Sequence, residues 1–246
     1  MKRLLWAISF ALATVVPVLG EGTRPSDTLL DTSTGTKILI FIPESVLNRE
    51  VATGLRSLSL DAQSNERILD RIRSSPESGS AENPQCSTGV LGAIAPGQST
   101  HVPDGVAALQ TRSIVVAGRV DRLVVGMEAN GEVATLVHVR VARVLKGVFS
   151  VHVGDDITFL EHIGRLAVAG REMCNTKRKF TPVATGDEVV VGGMPDAHNP
   201  GHLLNDERYL FFVQNGKVVP ARRGSAEAAP PTIMELDHRL NPELSR

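Results

Sequence analysis

The stretch "ATLVHVRVARVLKGVF", residues 134–149, decides the fold class of this chain. Val137, Val139 and Val141 occupy every second position, and His138 and Arg140 lie between them. Side chains along a strand point alternately to the two faces of a sheet, so this period of two predicts a strand with one buried face. The valines therefore belong to a core, and we expect His138 on the opposite, solvated face.

The apolar phase of this stretch shifts after Val141. The next inward position would be Arg143, whereas the next valine is Val144. One extra residue near Ala142 and Arg143, a β-bulge, would return Val144 to the core face and bend the strand. Gly147 then supplies a turn position that tolerates positive φ. The pattern predicts a strand that coils around a small barrel and then turns.

Further strand patterns surround this stretch. Gly118 interrupts one of them, which indicates a bulge or a tight bend. Gly154 and Asp155 predict a turn before a strand with Ile157 and Phe159 inward, and "NG" at residues 215–216 predicts a hairpin turn. Together they predict a mainly β fold, a sandwich or barrel of about five to six strands. The patterns are "SIVVAGRVDRLVV" (113–125), "VHVGDDITFL" (151–160), "GDEVVVGG" (186–193) and "RYLFFVQNGKVVPA" (208–221).

The region before the barrel is predicted to be partly helical and partly disordered. Residues 36–43, "TKILIFIP", form a candidate strand that Pro43 ends, and apolar residues at helical spacing predict one or two short helices within residues 44–74, with Ser64 as a candidate cap. Residues 75–105 are dense in Pro, Gly and Ser, which is typical of a linker or a long pinned loop. "REMCNTKRKF", residues 171–180, is assigned to a loop between strands, and a closing helix capped at Thr232, or a final strand, follows the barrel.

The first twenty residues indicate an export signal. "MKR" is a charged start, and the apolar run that follows is short for a membrane span, so we predict cleavage after Gly20. An uncleaved anchor is the alternative. The predicted organisation is a signal peptide (1–20), an N-terminal region (21–111), a β-barrel domain (112–222) and a tail (223–246).

Composition argues against a nucleic-acid binder. The 26 Lys and Arg fall to 24 when Lys2 and Arg3 leave with the signal, against 27 Asp and Glu, which gives a formal net charge of −3. Nucleic-acid binding requires a basic surplus. Stacking platforms for single strands are scarce, because aromatic residues make up 4% of the chain and its one tyrosine is Tyr209. The basic spots at residues 177–179 and 222–223 are interpreted as ordinary surface charge.

Cys86 and Cys174 are the two cysteines of the chain. Export would place them in an oxidising compartment, where a disulfide persists. We predict that they pair and thereby pin the linker to the barrel. Two separate thiols are the alternative.

One short segment offers candidate metal ligands. "HNPGH" contains His198 and His202, with Asp196, Asp206 and Glu207 nearby, and such side chains bind zinc-like ions. A solvated loop is the preferred interpretation, because the histidines flank Pro-Gly and cannot stack on a helix.

Other motifs do not point to catalysis. His152 and His162 are expected on solvated surfaces, and the chain contains no nucleophile elbow, dinucleotide-binding glycine motif or P-loop. No catalytic residue, metal site or cofactor is therefore predicted.

Four segments resemble a group of bacterial exported modules. They are "VVAGRV" (115–120), "VRVARVLKG" (139–147), "VGDDI" (153–157) and "TGDEVVV" (185–191), with "ERYLFFV" (207–213) as a second candidate for the last. This pattern is similar to OB-type barrels related to netrin-like domains and to the tissue inhibitors of metalloproteinases. The resemblance implies an OB-like barrel over residues 112–222.

The expected function is that of an exported, non-enzymatic module that binds a protein or an envelope component. An enzyme needs convergent acid, base or nucleophilic groups, and none is evident in the sequence. A metal-dependent hydrolase that uses the loop from His198 to His202 is one alternative. An inhibitor of an extracellular enzyme is the other, although those inhibitors begin with cysteine and this chain would begin at Glu21.

Overall fold

The structure is a computed structural model that describes residues 27–80, 86–88, 105–147, 151–176, 180–205, 209–221 and 230–242. The predicted signal peptide and its cleavage site, both basic spots, Asp206 and Glu207 lie outside these residues. Twelve strands and three α-helices are present in the described part: β1 (Leu29–Asp31), β2 (Ile38–Pro43), α1 (Glu44–Glu50), α2 (Ala62–Ser74), β3 (Ser87–Thr88), β4 (Ile114–Glu128), β5 (Val133–Lys146), β6 (Asp156–Glu161), β7 (Gly164–Val168), β8 (Arg171–Thr176), β9 (Glu188–Pro195), β10 (Leu203–Leu204), β11 (Leu210–Gln214), β12 (Lys217–Pro220) and α3 (Ile233–Leu240).

The long hairpin of β4 and β5 forms the centre of the fold, and it contains the predicted bulge. Ala117 pairs with Arg143 and Gly118 pairs with Val141, so Ala142 is the extra residue on β5. Val144 returns to the core that holds Val141, as the phase shift predicts. Two further register shifts lie between Val115 and Val116 and between Val120 and Arg122, and they add to the bending of the pair.

The main sheet confirms a mainly β fold but does not form a closed barrel in the described residues. It runs β1-β2-β4-β9-β11-β12, and β5 joins β4 to β6. The outer edge of β6 meets residues 196–202, where an isolated parallel bridge links Thr158 to His202. This isolated bridge does not close the sheet, so the predicted barrel is not shown.

Four apolar clusters hold the sheet in the described residues, and three of them are large. One face buries the valines of β5 with Ile157 and Phe159, as predicted. The other face of β4 and β9 is covered by a 3-10 helix at Gly105–Thr111 and by α3. The helices α1 and α2 pack over β7, β8 and the far end of the β4–β5 hairpin. The central strands are thus buried on both faces, which explains their nearly continuous runs of valine.

Most of the predicted turns and helices are confirmed. Asn215 and Gly216 adopt positive φ between β11 and β12, and Gly154 does so before β6. Thr232 caps α3 in a capping box. The prediction for Ser64 is wrong, because the cap of α2 is Asp61, whose carboxylate accepts a hydrogen bond from the Ser64 backbone N–H at 2.8 Å.

A second sheet of β3, β8 and β7 carries the disulfide. Cys86 and Cys174 are joined, with 4.7 Å between their Cα atoms, so the predicted pairing is confirmed. The loop predicted for residues 171–180 is wrong for residues 171–176, since these form β8, which carries Cys174 and pairs antiparallel with β7. Ala169 and Gly170 both have positive φ at the hairpin turn between these strands. Within the predicted linker, Ser87 and Thr88 form the short strand β3, which pairs parallel with β8.

Candidate functional site

An open cleft of about 250 Å³ lies where the N-terminal segment crosses the sheet. We define this segment as residues 27–31 and the opposite wall, the β9–β10 loop, as residues 196–202. The floor comes from β4, β5 and β6. The lining residues are Thr28, Leu29, Leu30, Asp121, Arg122, His138, Asp156, Thr158, His198, Asn199, Pro200, Gly201 and His202.

Asp27 anchors the N-terminal segment to the floor of the cleft. Asp27 is 2% exposed, and both of its carboxylate oxygens accept hydrogen bonds from Arg122, at 2.8 Å for Oδ2. His138 Nε2 lies 3.3 Å from the same carboxylate. The hydrogen bond to Asp27 raises the pKa of Arg122. This bidentate pair buries a carboxylate that would otherwise be costly to remove from water.

The prediction that His138 is solvated is therefore wrong. His138 does lie on the face opposite the valines, as the alternation requires, but it is buried there. The covering residue, Asp27, comes from a segment 111 positions earlier in the chain, and strand periodicity carries no information about it. His162 is half-buried and lies 3.0 Å from Glu128.

The β9–β10 loop is shaped by its own side chains. Asp196 accepts hydrogen bonds from the His198 backbone N–H at 2.8 Å and from Asn199 Nδ2 at 2.7 Å. Asn199 also reaches the N-terminal segment: its Oδ1 accepts from the Leu30 N–H at 2.8 Å, and its Nδ2 donates to the Leu30 carbonyl at 2.9 Å. The amide thus acts as a strand partner for the free edge of β1 and joins the two walls of the cleft.

The two histidines of this loop have different environments. His202 is buried, its Nδ1 lies 3.0 Å from Thr158 Oγ1, and its burial lowers its pKa to about 4. His198 is exposed, with Nδ1 2.5 Å from Thr32 Oγ1. Each histidine thus has a hydroxyl partner on a different element. Within the described residues these histidines do not belong to a candidate three-ligand group, whereas one ligand atom from each of Glu128, Glu132 and His162 lies within 4.8 Å of the others at the β4–β5 turn.

His202 is a poor candidate for a general base in this cleft. A general base works best with a pKa near the working pH, and His202, with a pKa of about 4, is a weak base. Thr158, its hydroxyl partner, is itself buried. The rim remains open to a ligand, because Asp156 and His198 are exposed and the Arg122 side chain is 32% exposed. Sequence patterns do not identify Asp27 and Arg122, since neither belongs to a recognised motif.

An exposed apolar pair continues from this loop. Leu204 is opposite Met194 on the β9–β10 pair, and these residues are 55% and 44% exposed. Leu204 lies two residues after His202, the last residue of the loop that forms one wall of the cleft. The cleft therefore has charged residues on its floor, and an exposed apolar pair follows one of its walls.

Compared with known proteins, the chain matches no protein-family model and no curated sequence. In the described part of the chain, no helix is both long and apolar enough to cross a membrane.

Proposed function

We propose that this chain is an exported, non-enzymatic module that binds a protein partner through the β9–β10 hairpin and the adjoining cleft. The observation that carries the proposal is the exposed pair of Met194 and Leu204 beside the charged cleft. Protein interfaces combine an apolar centre with a polar rim in this way, and methionine is enriched in them.

Export is supported by the covalent structure. A disulfide joins Cys86 to Cys174, and disulfides persist in oxidising compartments. The charged and apolar start of the sequence is typical of a secretory signal. N-terminal sequencing of protein from the native host should begin near Glu21. A cytoplasmic protein that retains Met1 would contradict export.

A binding role agrees with the hydrogen bonds of the cleft. Arg122 is engaged by Asp27, Thr158 by His202, and Asn199 by both Leu30 and Asp196. These contacts fix the shape of the surface before any partner arrives, which lowers the entropy lost on binding. The formal net charge of −1 for the whole chain favours a protein over a nucleic acid.

Affinity capture from the envelope fraction of the native host tests the proposal. We expect the wild-type protein and Met234→Asp to recover the same partner, and Leu204→Asp to lose at least nine-tenths of it. Met234 is the matched control because it is an apolar residue on α3 that is 74% exposed. Equal recovery by Leu204→Asp, or equal loss with Met234→Asp, would refute a specific interface at the hairpin.

A further inference from the structure

Two glutamates face each other at the end of the central hairpin. Glu128 closes β4, Glu132 immediately precedes β5, and the Glu128 N–H donates to the Glu132 carbonyl at 2.9 Å. The tight turn between them uses Gly131 at φ +84°. Like charges placed opposite each other across a hairpin are destabilising unless a positive group offsets them.

His162 approaches these glutamates from the connection between β6 and β7. Its Nε2 lies 3.0 Å from Glu128 Oε1, and one atom from each of Glu128, Glu132 and His162 fits within a mutual distance of 4.8 Å. Ligands at about 2.0–2.2 Å from a zinc-type ion lie about 3–3.6 Å apart. Glu128 Oε1 and His162 Nε2 already lie at the distance expected for two ligands of one ion. Glu132 is exposed, and its carboxylate needs a movement of about 1 Å to reach the same ion.

Two shielded oxygens at this place accept no hydrogen bond within the described residues. Glu128 Oε1 is one, despite its closeness to the imidazole, and the Glu128 side chain is 18% exposed. The other is Oδ1 of Asn175, a residue that is 2% exposed and whose Nδ2 donates to the Val133 carbonyl at 3.3 Å. A buried oxygen that accepts no hydrogen bond is costly, so the Asn175 oxygen indicates a missing positive or hydrogen-donating group.

The buried amide and one of the two glutamates adjoin the same space. Asn175 and Glu132 line one cavity of about 210 Å³. Arg71 also lines it, but no ion pair within 4.0 Å joins Arg71 to Glu132 in the described structure, so the Glu132 carboxylate is not committed to that guanidinium. The hairpin end therefore presents two carboxylates and one imidazole within 4.8 Å of one another, and the buried amide shares a cavity with one of the carboxylates.

We propose that Glu128, Glu132 and His162 bind a divalent transition-metal ion of the zinc type, beside the cavity that Glu132 and Asn175 line. Imidazole together with carboxylate ligands favours such an ion over Mg²⁺ or Ca²⁺, which prefer oxygen ligands alone. The ion would join the β4–β5 turn to the β6–β7 connection, which are distant in sequence. This site is separate from the cleft and from the hairpin that is proposed to bind a partner.

Calorimetric titration of untagged protein with Zn²⁺ tests the site. We expect one ion per chain, and Glu132→Gln and His162→Gln should each weaken binding at least tenfold. Glu66→Gln and His152→Gln are matched controls, because both residues are exposed and lie outside the cluster. Glu132→Gln is the decisive variant, since its exposed side chain is not needed for folding.

Substitution with Co²⁺ provides a second readout. The visible absorption of the bound ion should change with His162→Gln and should not change with His152→Gln. Zn²⁺ affinity that is unaltered by Glu132→Gln and His162→Gln would overturn the proposal, as would affinity lost only with His198→Gln. Binding of Mg²⁺ as tight as that of Zn²⁺ would also contradict the assigned ligand set.

Discussion

Lowering the pH from 7.5 to 4 should destabilise the fold through His202. Burial lowers the pKa of this imidazole from its ordinary 6.5 to about 4 in the folded chain. The unfolded chain therefore binds a proton near pH 6.5, whereas the folded chain resists it until about pH 4. Because the unfolded state binds more protons in this window, the stabilisation is complete above pH 6.5 and is lost as the pH falls towards 4.

The magnitude follows from the two pKa values. A tenfold preference for the neutral imidazole corresponds to about 1.4 kcal/mol. The gap between 6.5 and about 4 then amounts to about 3 kcal/mol in the free energy of unfolding. That is a large share of the roughly 5–15 kcal/mol that stabilises an ordinary domain. His202 is buried, so solvent does little to screen this effect.

Urea unfolding at a series of pH values measures this change in the free energy of unfolding. His202→Gln keeps a side chain that can bond Thr158 but cannot titrate, so its stability should fall by about 3 kcal/mol less than that of the wild type between pH 7.5 and 4. Subtracting the two curves removes the contribution of the carboxylates that both proteins share. His152→Gln, at an exposed histidine, should behave as the wild type. Parallel curves for the wild type and His202→Gln would refute the burial argument.

Three further changes test other parts of the structure. Replacing Cys86 and Cys174 by serine removes a link between residues 88 positions apart. Urea unfolding should then show a free energy of unfolding lower by up to about 4–5 kcal/mol. Alkylation of the native protein without reductant should label neither cysteine. Asp27→Asn should lower the free energy of unfolding by about 1–3 kcal/mol in the same assay, because it removes the charge that balances the partly buried Arg122. An unchanged urea midpoint would mean that the N-terminal segment is not bound to the sheet through this pair. Gly118→Ala should lower the free energy of unfolding by about 1–3 kcal/mol, because the added methyl group would overlap the Arg140 carbonyl oxygen. A melting temperature equal to that of the wild type would contradict this close approach.

The parts of the fold that local chemistry specifies could be predicted from the sequence. The shift of valine phase between Val141 and Val144 located the bulge, because a strand must keep its apolar side chains on one face. The "NG" turn and the cap at Thr232 are also decided by residues within a few positions. The disulfide followed from the even number of cysteines in a chain predicted to be exported.

Features that depend on distant segments could not be predicted. The burial of His138 depends on Asp27, and the anchoring of the β9–β10 loop depends on the Leu30 backbone, far away in the sequence. The hairpin around Ala169 and Gly170 was missed for a different reason. Polar residues dominate β8, and only its pairing and the disulfide make "REMCNT" a strand. The glutamates at residues 128 and 132 become a site only when His162 is folded against them.

Site-specific photo-crosslinking in the native host tests the proposed binding role most directly. A benzophenone side chain introduced at Leu204 should give one discrete crosslinked product with a partner protein, and the same side chain at Met234 should not. These two apolar positions are 55% and 74% exposed, so a greater accessibility of residue 234 would work against the predicted result. Absence of any product at residue 204, or the same product from both positions, would contradict a binding surface at the β9–β10 hairpin.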